Sequence, residues 1–180
     1  SRSSGVPVDA NDAKVLASAL KSANADVVIV GLGPSRTNPD APRLVNTYKA
    51  VLTACRDTAT RALFVGGAGS LLVAEGGPRI VDLPEFPASV KNEAMQHVEA
   101  LEHLRTVSDV KWTYLSPPGQ FGPGKRTRNI RLGGDVVVGQ SISAEDYAIA
   151  ALDEIGNPKH ENKRFTVAAD KRADALPSKR

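Results

Sequence analysis

Four short segments of this chain each follow a run of apolar residues and combine small, rigid or polar residue types. They are Asp9-Ala10, Gly31-Leu32-Gly33, Gly67-Ala68-Gly69 and Ser116-Pro117-Pro118. Glycine lacks a Cβ and lets the backbone approach a ligand closely, whereas proline fixes its own backbone and packs rigidly against a flat ring. Because the carboxyl ends of parallel strands meet at one edge of a sheet, we expect these segments to line one ligand-binding crevice.

The pattern of apolar residues predicts the elements that position these segments. Continuous apolar runs predict strands at residues 6–8, 27–30, 62–65, 111–115, 136–138 and 164–167. The run at 27–30 is β-branched throughout, which is typical of a strand buried on both faces. Apolar residues at helical spacing predict a helix that ends at Lys21 and further helices at 44–55, 90–104 and 144–155.

Alternation of strands and helices at this spacing favours parallel strand pairs with right-handed crossovers. The sequence therefore predicts an α/β fold with a Rossmann-like, doubly wound parallel sheet. We expect residues 1–170 to form one domain and residues 171–180 to be a solvated basic tail.

Composition excludes several classes of function. A net charge of +3 with only 4% aromatic residues indicates no basic, aromatic surface of the kind that binds nucleic acid. No apolar run approaches the roughly 20 residues of a membrane helix.

Cys55 is the only cysteine, so an internal disulfide is excluded and a reducing cytoplasm is the expected location. His97, His103 and His160 lack metal-ligand spacing, and we interpret them as surface or hydrogen-bonded side chains with no metal site.

The second half of the chain carries four motifs in a recognisable order. They read Trp112-Thr-Tyr-Leu-Ser-Pro-Pro, Phe121-Gly-Pro-Gly-Lys-Arg-Thr, Ser143-Ala-Glu-Asp-Tyr-Ala and Arg164-Phe-Thr-Val. This order resembles the closing half of the NAD(P)H-binding, NmrA-like branch of the short-chain dehydrogenase/reductase superfamily, a group often named NADH-flavin reductases. The resemblance covers residues 6–167 and is strongest from Trp112 onward.

The resemblance implies NADP or NAD as the cofactor, bound along the four segments described above. Asp9-Ala10 would lie beside the adenine, and Gly31-Leu32-Gly33 along the adenine and its ribose. Gly67-Ala68-Gly69 and Ser116-Pro117-Pro118 would reach the nicotinamide. The residues alone leave plainer alternatives open, namely a helix N-cap for Asp9 and tight turns for both glycine segments.

Neither glycine segment satisfies the phosphate-binding fingerprint of dinucleotide enzymes. Gly33 is followed by Pro34, and Gly69 leads into a long loop, so neither is followed by a third glycine that opens a helix. In a sheet of order 3-2-1-4-5-6 the phosphates bind after the first strand. We therefore assign residues 6–8 to the third strand and 27–30 to the fourth, and expect a first β-α-β unit with its glycine turn to precede Ser1.

The residues for acid–base chemistry are less apparent than the crevice. Relatives in the wider superfamily pair a tyrosine with a lysine four positions later. The residues four positions after the three tyrosines of this chain are Leu52, Pro118 and Ala151. The resemblance leaves Ser70, after the central strand, and Lys91, near the start of the third helix, as candidate catalytic residues. The alternative for Lys91 is a solvated lysine.

Phe121 and the loop that follows it are expected on the substrate side of the crevice. The loop carries Lys125, Arg126 and Arg128, which face either an anionic substrate or water, and we favour water for two of them. Ser143 and Asp146 resemble a helix cap, which we interpret as architecture. Relatives carry a longer hairpin where residues 136–140 stand here, so one wall of the substrate region is shorter.

The function expected from the resemblance is hydride transfer from NADPH or NADH to a flavin, a quinone or a similar conjugated acceptor. This chemistry needs little from the protein, because the cofactor supplies the hydride. The alternatives are a non-catalytic NmrA-like redox sensor that binds the dinucleotide, and a fragment without activity of its own. The expected partner is a small-molecule acceptor, with a homodimer as an open option.

Overall fold

A five-stranded sheet organises the protein, whose computed structural model describes residues 5–38 and 40–170. In spatial order its strands are β1 (Val27–Val30), β2 (Arg61–Val65), β3 (Trp112–Ser116), β7 (Lys163–Ala169) and β5 (Ile130–Gly133). The pairs β1–β2, β2–β3 and β3–β7 are parallel, whereas β5 runs antiparallel to β7. A separate parallel pair joins β4 (Gln120–Gly122) to β6 (Ser141–Ser143).

Within residues 5–38 and 40–170, four α-helices cover the two faces of this sheet. They are α1 (Ala13–Ser22), α2 (Leu44–Thr58), α3 (Ala88–Leu104) and α4 (Ala144–Gly156), and a short 3-10 helix spans Ile80–Asp82. Asp12 caps α1, since its carboxylate accepts hydrogen bonds from the amides of Lys14 and Val15. The apolar face predicted for α2 is buried along its whole length.

Two apolar clusters form the core, one on each face of the sheet. One cluster joins Tyr48 of α2 and Leu101 of α3 to Phe64 of β2. The other joins Tyr147 of α4 to Leu115 of β3 and Phe165 of β7. Helices on both faces of a mostly parallel sheet confirm the predicted α/β, Rossmann-like class.

The first two predicted strands differ from expectation. Residues 6–8 form no strand, because Pro7 offers no amide hydrogen and Val6 is 68% exposed. β1 exists as predicted, but its expected burial on both faces is wrong, since Ile29 is 49% exposed. The cluster beneath α4 extends over β2, β3 and β7 and does not include β1, so the Ile29 face stays uncovered. The predicted opening unit is not part of the sequence and stays a prediction.

The chain between β3 and α4 was predicted least well. Residues 136–138 form no strand of the sheet; Val136 instead makes an isolated bridge with Leu72. The strands found there are β4, β5 and β6, each of three or four residues. Elements of this length bury too few apolar side chains to leave a clear periodic pattern.

Within the described ranges 5–38 and 40–170, no helix is long and apolar enough to cross a membrane. Cys55 is buried, and burial raises the pKa of its thiol to about 11, which makes a nucleophilic role unfavourable. The predicted basic tail, residues 171–180, lies outside the described residues.

Candidate active site

A cavity of about 540 Å³ opens at the carboxyl ends of β2 and β3. Its floor is the Gly66–Gly69 turn after β2, and one wall is formed by Pro117 and Pro118 after β3. The opposite wall is the first three turns of α3 with the loop before it. The residues that complete the lining are Arg36, Ile80, Leu83, Glu85, Phe86, Pro87, Val90, Glu93, Ala94, His97, Gly119 and Phe121.

Two of the four predicted segments meet in this cavity. Gly67, Ala68 and Gly69 line it together with Pro117 and Pro118, and the predicted substrate residue Phe121 lies on the same side as the prolines. Ser116 is fully buried behind them. The prediction that these two strand ends face each other across one crevice therefore agrees with the geometry.

Glycine is required at the floor of the cavity by close packing. A Cβ on Gly66 would lie 2.2 Å from the ring of Tyr114, and one on Gly67 would lie 3.1 Å from His97. The Tyr114 hydroxyl accepts a hydrogen bond from the Gly67 amide at 3.1 Å and donates one to the His97 carbonyl at 3.3 Å. Tyr114 thus ties the end of β2 to α3, and burial raises the pKa of its phenol to about 12, so it stays protonated.

The other two predicted segments do not line this cavity. Gly31-Leu32-Gly33 follows β1 and is exposed, and it approaches the cavity only at Gly33, where a Cβ would lie 3.8 Å from Nε2 of His97. Asp9 is exposed, and its carboxylate accepts a hydrogen bond from the Asn11 amide. Ala10 lies beside it, so the structure places this pair at a turn that precedes α1.

Ser70, a predicted catalytic residue, is buried in a network around Arg164. The guanidinium of Arg164 donates to the Ser70 hydroxyl at 3.3 Å, to the Ser70 carbonyl at 3.4 Å and to the Ser116 hydroxyl at 3.4 Å. It also forms an ion pair with Asp135, which Arg105 contacts at 2.8 Å. Burial lowers the pKa of Arg164, while Asp135 raises it. Ser70 is therefore a structural link between strand ends and does not line the cavity.

Lys91, the second predicted catalytic residue, is exposed on α3 and is not among the residues that line the cavity. Its charge acts on Asp82, whose pKa is lowered first by a hydrogen bond from Arg79 and to a smaller extent by Lys91. The structure therefore places Lys91 on the side of α3 that faces the 3-10 helix. This position agrees with the alternative of a solvated lysine.

His97 is the cavity residue that the sequence did not single out. Its ring lies against Gly67 and near Gly33, and its Nδ1 is buried with no hydrogen-bond partner among the described residues. Burial lowers the pKa of His97, and the charge of Glu93, one helical turn earlier, raises it by less. The interpretation of His97 as a surface or hydrogen-bonded histidine is therefore wrong. A usable signal was its spacing of seven from Val90 and four from Glu93, which puts all three on one helix face.

Glu93 and Arg36 close the cavity on the side of β1. The guanidinium of Arg36 makes two hydrogen bonds to the Glu93 carboxylate, at 2.8 Å and 2.9 Å. The hydrogen bond from Arg36 is the main cause that lowers the pKa of Glu93. This pair ties the loop that follows β1 to α3.

The loop after Phe121 is held in place by α4. Asp146, which is buried, accepts hydrogen bonds from the amides of Thr127 and Arg128 and from the Thr127 hydroxyl at 2.5 Å. The Ser143 hydroxyl accepts from the Asp146 amide, as expected of a helix cap. Phe121 packs on Tyr147 with ring centroids 4.8 Å apart.

The side chains of the basic trio Lys125, Arg126 and Arg128 are exposed on this loop, and none belongs to the lining of the cavity. Among residues 5–38 and 40–170 there is also no cluster of three side chains suited to hold a metal ion. The cavity is thus lined by apolar side chains and backbone, with four ionisable residues.

The residues of the cavity fit the nicotinamide end of a dinucleotide better than its phosphates. Gly67 presents backbone without a Cβ at the floor of the cavity, and the rigid prolines offer a flat wall. A phosphate cradle needs a helix N-terminus directly after a glycine turn. Among the described residues, neither glycine segment has one, because α2 begins at Leu44 and α3 at Ala88.

Comparison with known proteins shows the family of this chain. The sequence profile of a family described as NAD(P)H-binding matches residues 2–158. The uncharacterized Bacillus subtilis protein YwnB is 43% identical over 134 residues, an alignment that covers 70% of this chain and 63% of YwnB. The chain therefore spans less than two thirds of this relative.

Two solved structures share the fold at appreciable identity. A candidate exported protein from Burkholderia pseudomallei is 36% identical with a TM-score of 0.79, and the match covers 89% of this chain and 79% of that one. A candidate NADH-flavin reductase from Streptococcus pneumoniae is 30% identical with a TM-score of 0.79, covering 92% and 80%. The predicted cofactor class, NADP or NAD, agrees with the matched family. Since its profile spans most of the sequence, this chain belongs to the NAD(P)H-binding family.

Proposed function

We propose that this protein is an NAD(P)H-dependent reductase that transfers a hydride to a flavin, a quinone or a similar conjugated acceptor. The observation that carries the proposal is the meeting of Gly67, Pro117 and His97 in one cavity at the ends of two adjacent parallel strands. In open α/β sheets such an edge is where ligands bind. The candidate NADH-flavin reductase at 30% identity supports the same reaction class.

The shape and lining of the cavity suit a flat, largely apolar acceptor. Its walls include Leu83, Phe86, Val90, Pro118 and Phe121, and these side chains exclude water from a bound ring. A cavity of about 540 Å³ is within the range of small-molecule sites. When bound, the reduced nicotinamide supplies the hydride. The Gly67 backbone and the rigid Pro117 and Pro118 are the residues that would hold the nicotinamide and the acceptor in this cavity.

The test is binding followed by turnover. The protein should quench or shift the fluorescence of NADPH or NADH, and should oxidise it in the presence of FMN or a naphthoquinone. Gly67→Leu fills the floor of the cavity beside His97. We expect it to weaken dinucleotide binding at least about tenfold, or roughly 1.4 kcal/mol.

The matched control is Gly134→Leu, because a Cβ at Gly134 meets no atom within 4 Å. It should bind and turn over like the unaltered protein. Equal affinity of both variants, or no binding by the unaltered protein, would refute the proposal.

A redox sensor that binds the dinucleotide without catalysis remains the second candidate. The observation in its favour is that neither predicted catalytic residue lines the cavity. Ser70 is hydrogen-bonded to Arg164, and Lys91 is exposed on α3. Binding of NADPH without oxidation, across a panel of flavins and quinones, would support the sensor. We place either activity in the cytoplasm, where Cys55 stays reduced.

A further inference from the structure

Four ionisable side chains line the cavity, and only one of them is both sequestered and unpaired. Arg36 and Glu93 neutralise each other in a two-point ion pair. Glu85 is exposed at the rim. The remaining residue is His97, whose Nδ1 is buried and has no hydrogen-bond partner within residues 5–38 and 40–170.

The His97 ring is held in a defined place between two strand ends. Its Cβ and Cγ lie 3.1 Å from the position of a Cβ on Gly67, and its Nε2 lies 3.8 Å from that of one on Gly33. The carbonyl of His97 accepts a hydrogen bond from the buried Tyr114 hydroxyl. Because Nδ1 is buried, Nε2 is the ring nitrogen left to meet a ligand. Nε2 makes no hydrogen bond within the described part of the chain.

Three other groups near the cavity are less suited than His97 to donate a proton to a bound acceptor. The Ser70 hydroxyl accepts a hydrogen bond from Arg164, and Lys91 lies outside the cavity lining. The phenol of Tyr114 is engaged with Gly67 and His97. Reduction of a quinone by hydride leaves a negatively charged oxygen. A reductase site of this kind therefore needs a proton donor.

We propose that His97 is a catalytic residue that donates a proton from Nε2 to the acceptor as it is reduced. This role rests on the reductase function proposed above. A quinone takes a hydride from the reduced nicotinamide, which is thereby oxidised, and a negative charge develops on a quinone oxygen. The N–H bond of the imidazolium breaks, an O–H bond forms on that oxygen, and solvent returns a proton to the neutral ring.

The charged groups around His97 set the pH range of this role. Glu93 lies one turn earlier on α3, and Arg36, from the loop after β1, is paired with it; Glu85 comes from the loop before α3. Tyr114, from β3, meets only the backbone of His97. Burial lowers the pKa of His97 from 6.5 and outweighs the opposing effect of Glu93. The donor form is therefore present at low pH and is lost as the pH rises through this lowered value.

The experiment compares two histidines of the same helix in the full protein, with a soluble naphthoquinone as acceptor. His97→Asn should lower kcat/KM at pH 6 on the order of 100-fold, within the usual range for general acid catalysis. The unaltered protein should lose activity as the pH rises, and this dependence should be absent in His97→Asn. His103→Asn, on the same helix but outside the cavity lining, should keep both the rate and the pH dependence.

Two measurements separate this role from a structural one. The affinity of His97→Asn for NADPH, from fluorescence titration, should stay within about twofold of the unaltered value. An NMR titration of the His97 ring in the protein without dinucleotide should give the same midpoint as the pH profile of kcat/KM.

Full activity of His97→Asn, an unchanged pH profile in that variant, or a mismatch of the two midpoints would each overturn the role of His97. A loss of NADPH affinity would likewise overturn it and assign His97 to cofactor binding. No binding or turnover by the unaltered protein would refute the reductase function itself, and the role of His97 with it.

Discussion

Gly66 shows how strongly a single residue constrains the site. A Cβ at this position would lie 2.2, 2.4 and 2.8 Å from three atoms of the Tyr114 ring, and Tyr114 is fully buried and cannot move aside. We expect Gly66→Ala to lower the free energy of unfolding by about 2 kcal/mol, as overpacked cores do. Urea denaturation gives the measurement. Gly134→Ala, with open space around its Cβ, is the control. An unchanged denaturation midpoint for Gly66→Ala would contradict the close packing of Tyr114 against Gly66.

Arg164 is the residue that joins the ends of β2 and β3. Its side chain is 2% exposed. The guanidinium donates hydrogen bonds to the hydroxyls of Ser70 and Ser116 and forms an ion pair with Asp135. Arg164→Met leaves these serine groups without their donor, and we expect a loss on the order of 3 kcal/mol in unfolding free energy. Arg43→Met breaks only the exposed pair with Glu99 and should cost less than about 1 kcal/mol. Equal losses in the two variants, measured by chemical denaturation, would refute the structural role of Arg164.

At the scale of elements, the Asp146 carboxylate holds the loop after β4 against the start of α4. Burial raises the pKa of Asp146, but hydrogen bonds from Thr127, the Arg128 amide and Ser143 together lower it below its ordinary value. A carboxyl with a lowered folded pKa stabilises the protein above its unfolded pKa of about 3.9, and this contribution is lost as the pH falls further. We expect Asp146→Asn to cost about 2 kcal/mol at pH 7, since an amide has one acceptor oxygen and cannot accept from both the backbone amides and the Thr127 hydroxyl, as the two carboxylate oxygens do.

The difference in unfolding free energy between Asp146→Asn and the unaltered protein should shrink below about pH 4. Asp153→Asn, an exposed position on the same helix, is the matched control and should show no loss. A pH-independent cost for Asp146→Asn would mean that the carboxylate charge is not what holds the loop.

Elements were predictable from the sequence where they are long and amphipathic. α2 shows this best, because Tyr48 and Cys55, seven residues apart, lie on the face that the spacing predicted to be buried. β4, β5 and β6 were missed because their pairing depends on partners far along the chain. The site divides in the same way. Gly67 and Pro117 were predicted from local motifs. The spacing of His97 from Val90 and Glu93 places the three on one face of α3, but its contacts with Gly33 and Gly67 depend on residues far along the chain.

At the scale of the whole molecule, the sheet has an uncovered edge. Among the described residues β1 pairs only with β2, and Ile29 is 49% exposed on its outer face. Unpaired apolar edges are templates for association between chains. We therefore expect the 180-residue polypeptide to self-associate as its concentration rises, with an increase in sedimentation coefficient.

Ile29→Lys should suppress this association, because a charged residue on an edge strand opposes pairing between chains. Val15→Lys, at an exposed position of α1 that is not part of β1, is the control and should associate like the unaltered chain. Association of Ile29→Lys that matches that of the unaltered chain would show that β1 is not the contact.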